Sequence, residues 1–277
     1  MGGEGFSRKW VPRWLGAARD AIVSVFLPAP CRICDQLLAT ASTLPICEEC
    51  LAAFRALPPD RCAICGIRLV KREDGAVRCP SCPEARYQFD CARSYAVYED
   101  ALVRAVVLLK FEKMTPLGRW LARRLAELVQ THGYGTAADV VVPVPLHKDR
   151  LHQRGYNQAE LISRPLARLL GVPHRPVLLV RTRPRPDKLH LTFEERWESV
   201  RGAFAAREGS QVDNLRVLLV DDVLTTGATL DACARALRAA GAKSVTGLTA
   251  ARALQDGLQK AAEPDSERSR GIAGEHH

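Results

Sequence analysis

The sequence lacks the long uncharged apolar run that a membrane-spanning helix requires. No window reaches the roughly 18 such residues needed to cross a bilayer. Two common phosphate-binding signatures are also missing: Gly-x-x-x-x-Gly-Lys-Ser/Thr, and Gly-x-Gly-x-x-Gly after a strand. The sequence therefore indicates neither a P-loop ATPase nor a dinucleotide-binding Rossmann domain.

The composition is that of an ordinary globular protein. With 47% apolar and 26% charged residues, it excludes wholesale disorder, a collagen-like fibre and a coiled-coil rod. A length of 277 residues predicts about two domains. The net charge of +9 attracts anions such as phosphorylated metabolites, nucleic acid or acidic lipid. A basic surface that merely keeps the protein in solution is the alternative.

The N-terminal segment resembles a secretion signal only superficially. Its apolar stretch is interrupted by Arg19 and Asp20, and it lacks a cleavage pattern of small residues. Apolar residues at helical spacing instead predict an amphipathic helix within 1–27, most simply a packing element, with adsorption to a membrane surface as the alternative. We therefore expect a cytoplasmic protein whose thiols stay reduced.

Eight of the ten cysteines form four Cys-x-x-Cys pairs in a short segment. Two such pairs supply the four thiolates of a closed, structural zinc site. Twelve residues separate the first two pairs and 13 the last two, which is close to zinc-ribbon spacing. The pairs are Cys31 and Cys34, Cys47 and Cys50, Cys62 and Cys65, and Cys79 and Cys82.

Sequential pairing of these motifs is the simplest arrangement, and it predicts a double zinc ribbon at 28–91 with two structural Zn²⁺ ions. Interleaved pairing is open at this point. A disulfide framework is the other alternative, which a reducing compartment disfavours. A zinc ion held by four thiolates has no open position for water, so we expect the metal to support folding rather than catalysis.

The pattern near the C-terminal end predicts a strand, a polar loop and a helix. Val217–Val220 is a continuous apolar run typical of a buried parallel strand, and Asp221 and Asp222 follow it directly. A helical apolar stripe then extends to Gly241, which suits a left-handed cap. The loop and the start of that helix contain Thr225, Thr226, Gly227, Ala228 and Thr229.

This loop has the chemistry of an anion site. Backbone N–H groups at a helix N-terminus bind phosphate, threonine hydroxyls add donors, and glycine permits close approach of the backbone. Two carboxylates facing a bound phosphate would repel it unless a polyol or a metal ion engages them. The alternative is that the two acids only cap a turn.

The same stretch closely resembles the phosphoribosyl-pyrophosphate (PRPP) motif of type I phosphoribosyltransferases. The resemblance implies that Asp221 and Asp222 contact the ribose hydroxyls and serve catalysis. It also implies that residues 225–229 hold the 5-phosphate. Mg²⁺ would accompany the pyrophosphate.

Four further segments resemble the ComF family. They are Leu-Lys-Phe at 109–111, Val-Pro-Val-Pro-Leu-His at 142–147, Arg-Gly-Tyr-Asn-Gln-Ala-Glu at 154–160 and Arg-Gly-Ala-Phe at 201–204. Members of this family place a double zinc ribbon ahead of a phosphoribosyltransferase domain. The resemblance therefore implies an α/β domain at 92–256, with a parallel sheet flanked by helices. The charged, polar segment 257–277 is predicted to be a disordered tail.

The remaining substrate-binding candidates are mostly cations. Leu146 and His147 follow a predicted strand and would form the pyrophosphate loop, with Arg154 and Lys110 as counter-charges. Lys188 stands where the family usually has Gln, in a segment expected to cover the substrate. For each charged side chain the alternative is an ordinary solvated cation.

Three functions are consistent with these motifs. The resemblance implies a PRPP-binding protein of natural competence, with single-stranded DNA and proteins of the competence machinery as partners. A metabolic phosphoribosyltransferase acting on a nucleobase or amine is the second hypothesis. A non-catalytic PRPP sensor that binds DNA or a partner is the third.

Overall fold

A computed structural model describes residues 29–38, 42–71, 73, 75–82, 87–133, 135, 137–184 and 192–254. The predicted helix at 1–27 and the predicted tail at 257–277 lie outside the described residues. The contacts divide the chain into two units, Met1–Ala53 and Phe54–His277. Within the described ranges, no helix is long and apolar enough to cross a membrane.

The described residues form short elements in the cysteine-rich part and longer ones after it. In chain order they are α1 (Glu48–Ala52), β1 (Val70–Lys71), β2 (Val77–Arg78), β3 (Cys91–Val97), α2 (Asp100–Phe111), α3 (Thr115–His132), β4 (Val140–Pro143), α4 (Lys148–Arg154), α5 (Gln158–Leu170), β5 (Leu179–Arg181), α6 (Phe193–Glu198), β6 (Phe204–Ala206), β7 (Arg216–Leu224), α7 (Ala228–Ala239) and β8 (Ser244–Arg252).

The larger unit is built on a four-stranded sheet in the order β3-β8-β7-β4. All three strand pairs are parallel. Parallel strands need crossover connections, and the chain supplies helices between them. Because the strands run the same way, their carboxyl ends share one edge, where the N–H of Val144 after β4 donates to Val220 O at 2.8 Å.

Helices flank this sheet. Val217 and Leu219 of β7 belong to one buried cluster with Cys233, Ala234 and Leu237 of α7. Side chains alternate across a strand, so the intervening residues face away from α7. Helix α5 packs against β4 and β7, and α3 packs against β3, β8 and α5. The parallel α/β architecture with flanking helices predicted from the sequence is confirmed.

Helix α5 continues through Pro165, where the sequence pattern predicts a kink or an interruption. Proline lacks an N–H, so the carbonyl four residues earlier, that of Leu161, has no intrahelical donor from it. Gly118 of α3 lies against this carbonyl so closely that a Cβ there would be 2.7 Å from Leu161 O. Helix α5 therefore packs closely against α3 in the turn that precedes the proline.

Candidate functional site

The two adjacent acids lie near the carboxyl end of β7, and they are part of the strand. The strand continues to Leu224 because β8 pairs with it through Asp221 opposite Thr249 and Leu224 opposite Arg252. Asp222 is only 5% exposed. One of its carboxylate oxygens, Oδ1, lies 3.3 Å from Lys110 Nζ.

The second oxygen of Asp222 has no such partner. Oδ2 is buried and makes no hydrogen bond within the described part of the chain. A buried polar atom normally has a partner, so this oxygen fits a group from outside the chain, such as a ribose hydroxyl or a metal ion. Asp221 is more exposed, and its Oδ1 accepts the N–H of Asp222 at 2.8 Å.

The residues after β7 turn sharply into α7. Gly227 has a φ of 87°, in the left-handed region that favours glycine, and α7 begins at the next residue. The hydroxyl of Thr226 accepts the Ala228 N–H at 3.3 Å. Thr229 lies in the first turn of α7. The predicted phosphate loop is therefore a tight turn at a helix N-terminus.

The carbonyls of this loop point toward the protein interior. Leu224 O accepts from Arg252 Nη1 at 2.9 Å, Thr225 O accepts from the same atom, and Thr226 O accepts from the Tyr87 hydroxyl at 2.9 Å. In a trans peptide the N–H points opposite to the carbonyl. Three consecutive N–H groups, those of Thr225, Thr226 and Gly227, therefore point away from the Arg252 and Tyr87 side chains, an arrangement that resembles a backbone anion nest.

Two cations and a phenol interact electrostatically with the buried acid. Lys110, at the end of α2, forms the ion pair with Asp222. Burial lowers the pKa of the Arg154 guanidinium, and the charge of Asp222 acts in the opposite direction. Burial also raises the pKa of Tyr98, with Lys110 lowering and Asp222 raising it. The structure thus brings Lys110 and Arg154 into the field of Asp222.

The segment after β4 also reaches this edge of the sheet. Leu146 is half-buried, and His147 is 8% exposed and precedes α4 as its N-cap. The His147 Nδ1 lies 3.4 Å from Asp149 N. Asn157 fixes the segment, because its Nδ2 donates to Val144 O at 2.9 Å while its Oδ1 caps α5. Lys188 lies outside the described residues.

The eight cysteines of the four motifs form two tetrads in sequential order. In each tetrad the sulfur atoms lie within 4.8 Å of one another. The Sγ–Sγ distances are 3.9 and 3.7 Å in the first, and 3.5 Å for two pairs in the second. The first tetrad is Cys31, Cys34, Cys47 and Cys50, and the second is Cys62, Cys65, Cys79 and Cys82.

These sulfur separations fit zinc. A tetrahedron with Zn–S bonds of about 2.3 Å has S···S edges of about 3.8 Å, whereas a disulfide needs about 2.05 Å. Backbone N–H groups point at the sulfurs, for example Cys47 N to Cys31 Sγ at 3.4 Å. Burial opposes the thiolate, yet the N–H donors around Cys31 lower its pKa to about 6. The donor set is that of two closed structural sites.

Sequence reasoning missed Tyr87 and Arg252, whose side chains donate hydrogen bonds to the carbonyls at the predicted phosphate loop. The signal for Arg252 was an arginine directly after an apolar β-run, Ala250 and Ala251, since a buried arginine must have partners. Tyr87 carries no comparable signal, because it lies 139 residues from the Thr226 carbonyl that it binds.

Comparison with known families places this site in a class. Residues 157–272 match the phosphoribosyl transferase domain family. The matched region contains β7, the phosphate loop and α7. The protein is thus a phosphoribosyltransferase-fold protein that also carries two cysteine tetrads.

Individual relatives narrow the class further. Competence protein F of Haemophilus influenzae is 30% identical over 205 residues, covering 72% of this chain and 87% of that protein. DNA utilization protein YhgH of Salmonella typhimurium is 30% identical over 222 residues, covering 79% and 95%. Competence protein ComFC of Bacillus subtilis is 34% identical over 111 residues, covering 40% and 43%. The chain belongs to the ComF family.

Proposed function

We propose that this protein binds PRPP at the carboxyl edge of its sheet. The observation that carries the proposal is the pairing of opposite chemistries within a few residues: a buried carboxylate oxygen without a hydrogen-bond partner in the described residues, beside a nest of outward N–H groups. A sugar phosphate satisfies both, because its hydroxyls donate to the acids while its phosphate accepts from the loop.

The charges around the acids favour a polyanionic ligand. Lys110 neutralises one charge of the acid pair. The charge of Asp222 also acts on Arg154, where it raises the pKa against the effect of burial. A pyrophosphate group brought near Asp222 would otherwise meet net repulsion. Residues 146–147, which follow β4 beside β7, are proposed to contact this pyrophosphate.

The same geometry supports displacement at the anomeric carbon of the ribose. Asp221 and Asp222 would orient the sugar and offset the positive charge that develops on it, and the loop would hold the 5-phosphate in place. Catalysis would rest on positioning and electrostatics rather than on a side-chain nucleophile. When bound, Mg²⁺ would neutralise pyrophosphate oxygens, with these carboxylates as the residues able to hold it.

Titration calorimetry of the purified chain tests this proposal. We expect PRPP to bind with a stoichiometry near one, and more tightly with Mg²⁺ than with EDTA, because the ion offsets charge between pyrophosphate and the acids. Ribose 5-phosphate should bind more weakly, since it lacks the pyrophosphate. No binding of either ligand would contradict the assignment. Release of pyrophosphate only when a nucleobase or amine is added would identify a metabolic transferase.

We further propose that the protein acts in natural competence in the cytoplasm, in handling incoming single-stranded DNA together with other competence proteins. Two observations support the role: the names of its relatives, competence protein F and DNA utilization protein YhgH, and the net charge of +9. Zinc at both cysteine tetrads would supply a structural module of the kind that often docks partners.

Fluorescence titration with a labelled single strand tests the DNA role. Binding should fall steeply with salt, because each lysine or arginine that neutralises a phosphate contributes a slope of about −0.7 in a plot of log affinity against log salt. A single strand of the same length made of neutral-backbone analogue is the control. Binding that does not respond to salt, or none at low salt, would contradict this role.

A further inference from the structure

Arg252, at the end of β8, is among the most deeply buried large side chains of the described residues, with 1% exposure. Its Nη1 donates to Leu224 O at 2.9 Å and to Thr225 O, the carbonyls of the last residue of β7 and the first residue of the phosphate loop. Arginine is rarely buried to this degree without a counter-charge. A group of opposite charge is therefore expected close to Arg252.

We assign this counter-charge to the second cysteine tetrad, whose Cys62 and Cys65 lie in the cluster against which Tyr87 packs. Burial lowers the pKa of the Arg252 guanidinium, and Cys65, Tyr87 and Cys79 act in the opposite direction, Cys65 also through a side-chain hydrogen bond. Cys65 is itself 1% exposed. A zinc ion with four thiolates carries net negative charge, which suits a buried guanidinium beside it.

Tyr87 makes a second connection between the same two places. Its hydroxyl donates to Thr226 O at 2.9 Å, and its ring lies 2.7 Å from where a Cβ of Gly227 would stand. On the other side the ring packs against the apolar cluster formed by Cys62, Cys65 and Ile67.

The turn between two ligands of this tetrad, Cys62 and Cys65, is hydrogen-bonded to the sheet. The N–H of Ala92 in β3 donates to Ile64 O at 2.7 Å, and Gly66 lies so close that a Cβ there would be 3.0 Å from Ala92 O. Arg93 Nη2 donates to Ala63 O at 2.6 Å. The turn that carries Cys62 and Cys65 is therefore bonded to β3, and Tyr87 links the cluster around these cysteines to the Thr226 carbonyl.

We propose that Arg252 and Tyr87 are positioning residues that couple zinc binding at the second tetrad to anion binding at residues 225–229. They hold three consecutive carbonyls, those of Leu224, Thr225 and Thr226, and so turn the opposite N–H groups toward the ligand. The inference rests on the proposed PRPP site. It makes the second zinc ion part of the ligand-binding machinery rather than a folding aid alone.

The coupling must be reciprocal. If zinc at the second tetrad raises the affinity for PRPP by some factor, PRPP raises the affinity for that zinc by the same factor. A typical coupling between two sites in one protein is about tenfold. We therefore expect PRPP to raise by about tenfold the chelator concentration needed to strip the second tetrad.

The experiment is chelator competition on the full, zinc-loaded chain with and without PRPP. Cysteine alkylation followed by peptide mass spectrometry identifies which tetrad has lost its metal. PRPP affinity is measured in parallel by calorimetry. In Arg252→Gln the PRPP-induced shift at Cys62, Cys65, Cys79 and Cys82 should disappear, while Arg252→Lys should retain part of it by preserving the charge.

Arg93→Lys is the matched control, because Arg93 is a buried arginine that holds the same turn by hydrogen bonds to the carbonyls of Ala63, Ile64 and Ala92. It should weaken zinc retention yet keep the shift. Tyr87→Phe keeps the ring and removes one bond, so a reduced shift is expected even if Arg252→Gln does not fold.

Three results would overturn the inference, in whole or for Arg252, and are distinguishable from one another. If the wild-type chain binds PRPP but the second tetrad loses zinc at an unchanged chelator concentration, the coupling is wrong and the proposed function stands. If the wild-type chain does not bind PRPP, both fail. If Arg252→Gln keeps the full PRPP-induced shift in chelator concentration, Arg252 does not mediate the coupling.

Discussion

Replacing Asp221 and Asp222 together by asparagine should lower PRPP affinity by at least about 100-fold, which corresponds to about 2.7 kcal/mol. The direction of the change in PRPP affinity distinguishes the two interpretations of the acids. If the acids merely capped a turn, removing two negative charges would favour a polyanionic ligand, and affinity would rise. Only direct contacts to ribose hydroxyls or to a bound cation turn the same substitution into a loss, because charge-assisted hydrogen bonds contribute about 1.5–3 kcal/mol each.

Calorimetry with PRPP and Mg²⁺ measures this change, and zinc content reports whether the fold is intact. Asp139→Asn is the matched control. Asp139 pairs with Arg216 at the opposite, amino end of β7, with 2.7 Å between Oδ1 and Nη2. It changes the net charge without touching the site, so PRPP affinity should stay within about twofold of the wild type, as for a substitution far from the ligand. Equal or tighter binding by the double variant would remove the acids from the site.

The parts that the sequence predicted correctly are those whose physics is local. The strand, loop and helix around Asp221 follow from a continuous apolar run, a glycine at a tight turn and a helical stripe, all within a short stretch. The cysteine tetrads follow from ligand spacing, which also predicted their sequential grouping. In both cases the residues that carry the chemistry lie close together in the sequence.

The parts that the sequence could not supply depend on contacts between distant segments. The length of β7 was underestimated, because Asp221 and Leu224 remain in the strand only through pairing with β8. Helix α5 continues through Pro165 where Gly118 of another helix packs against its preceding turn, a contact that the local sequence does not predict. The support of the phosphate loop depends on Arg252 and Tyr87, whose roles come from tertiary contact alone.

Metal analysis of the purified chain should give two zinc ions, and replacing one ligand in either tetrad should reduce this to about one. Cys31→Ser tests the first tetrad and Cys62→Ser the second. The loss should strongly destabilise the affected segment. A structural zinc ion contributes roughly 10–16 kcal/mol of apparent binding free energy, as much as the whole stability of a typical domain.

Cys91→Ser is the matched control for these variants, because Cys91 lies in β3 and belongs to neither tetrad. It should keep both zinc ions. Mass spectrometry under native conditions counts the metal, and alkylation under denaturing conditions counts the free thiols. A metal-free wild-type chain with no reactive thiols would mean disulfides instead. That outcome conflicts with Sγ–Sγ distances of 3.5–3.9 Å, which match the edge of a zinc–thiolate tetrahedron and not a covalent sulfur–sulfur bond.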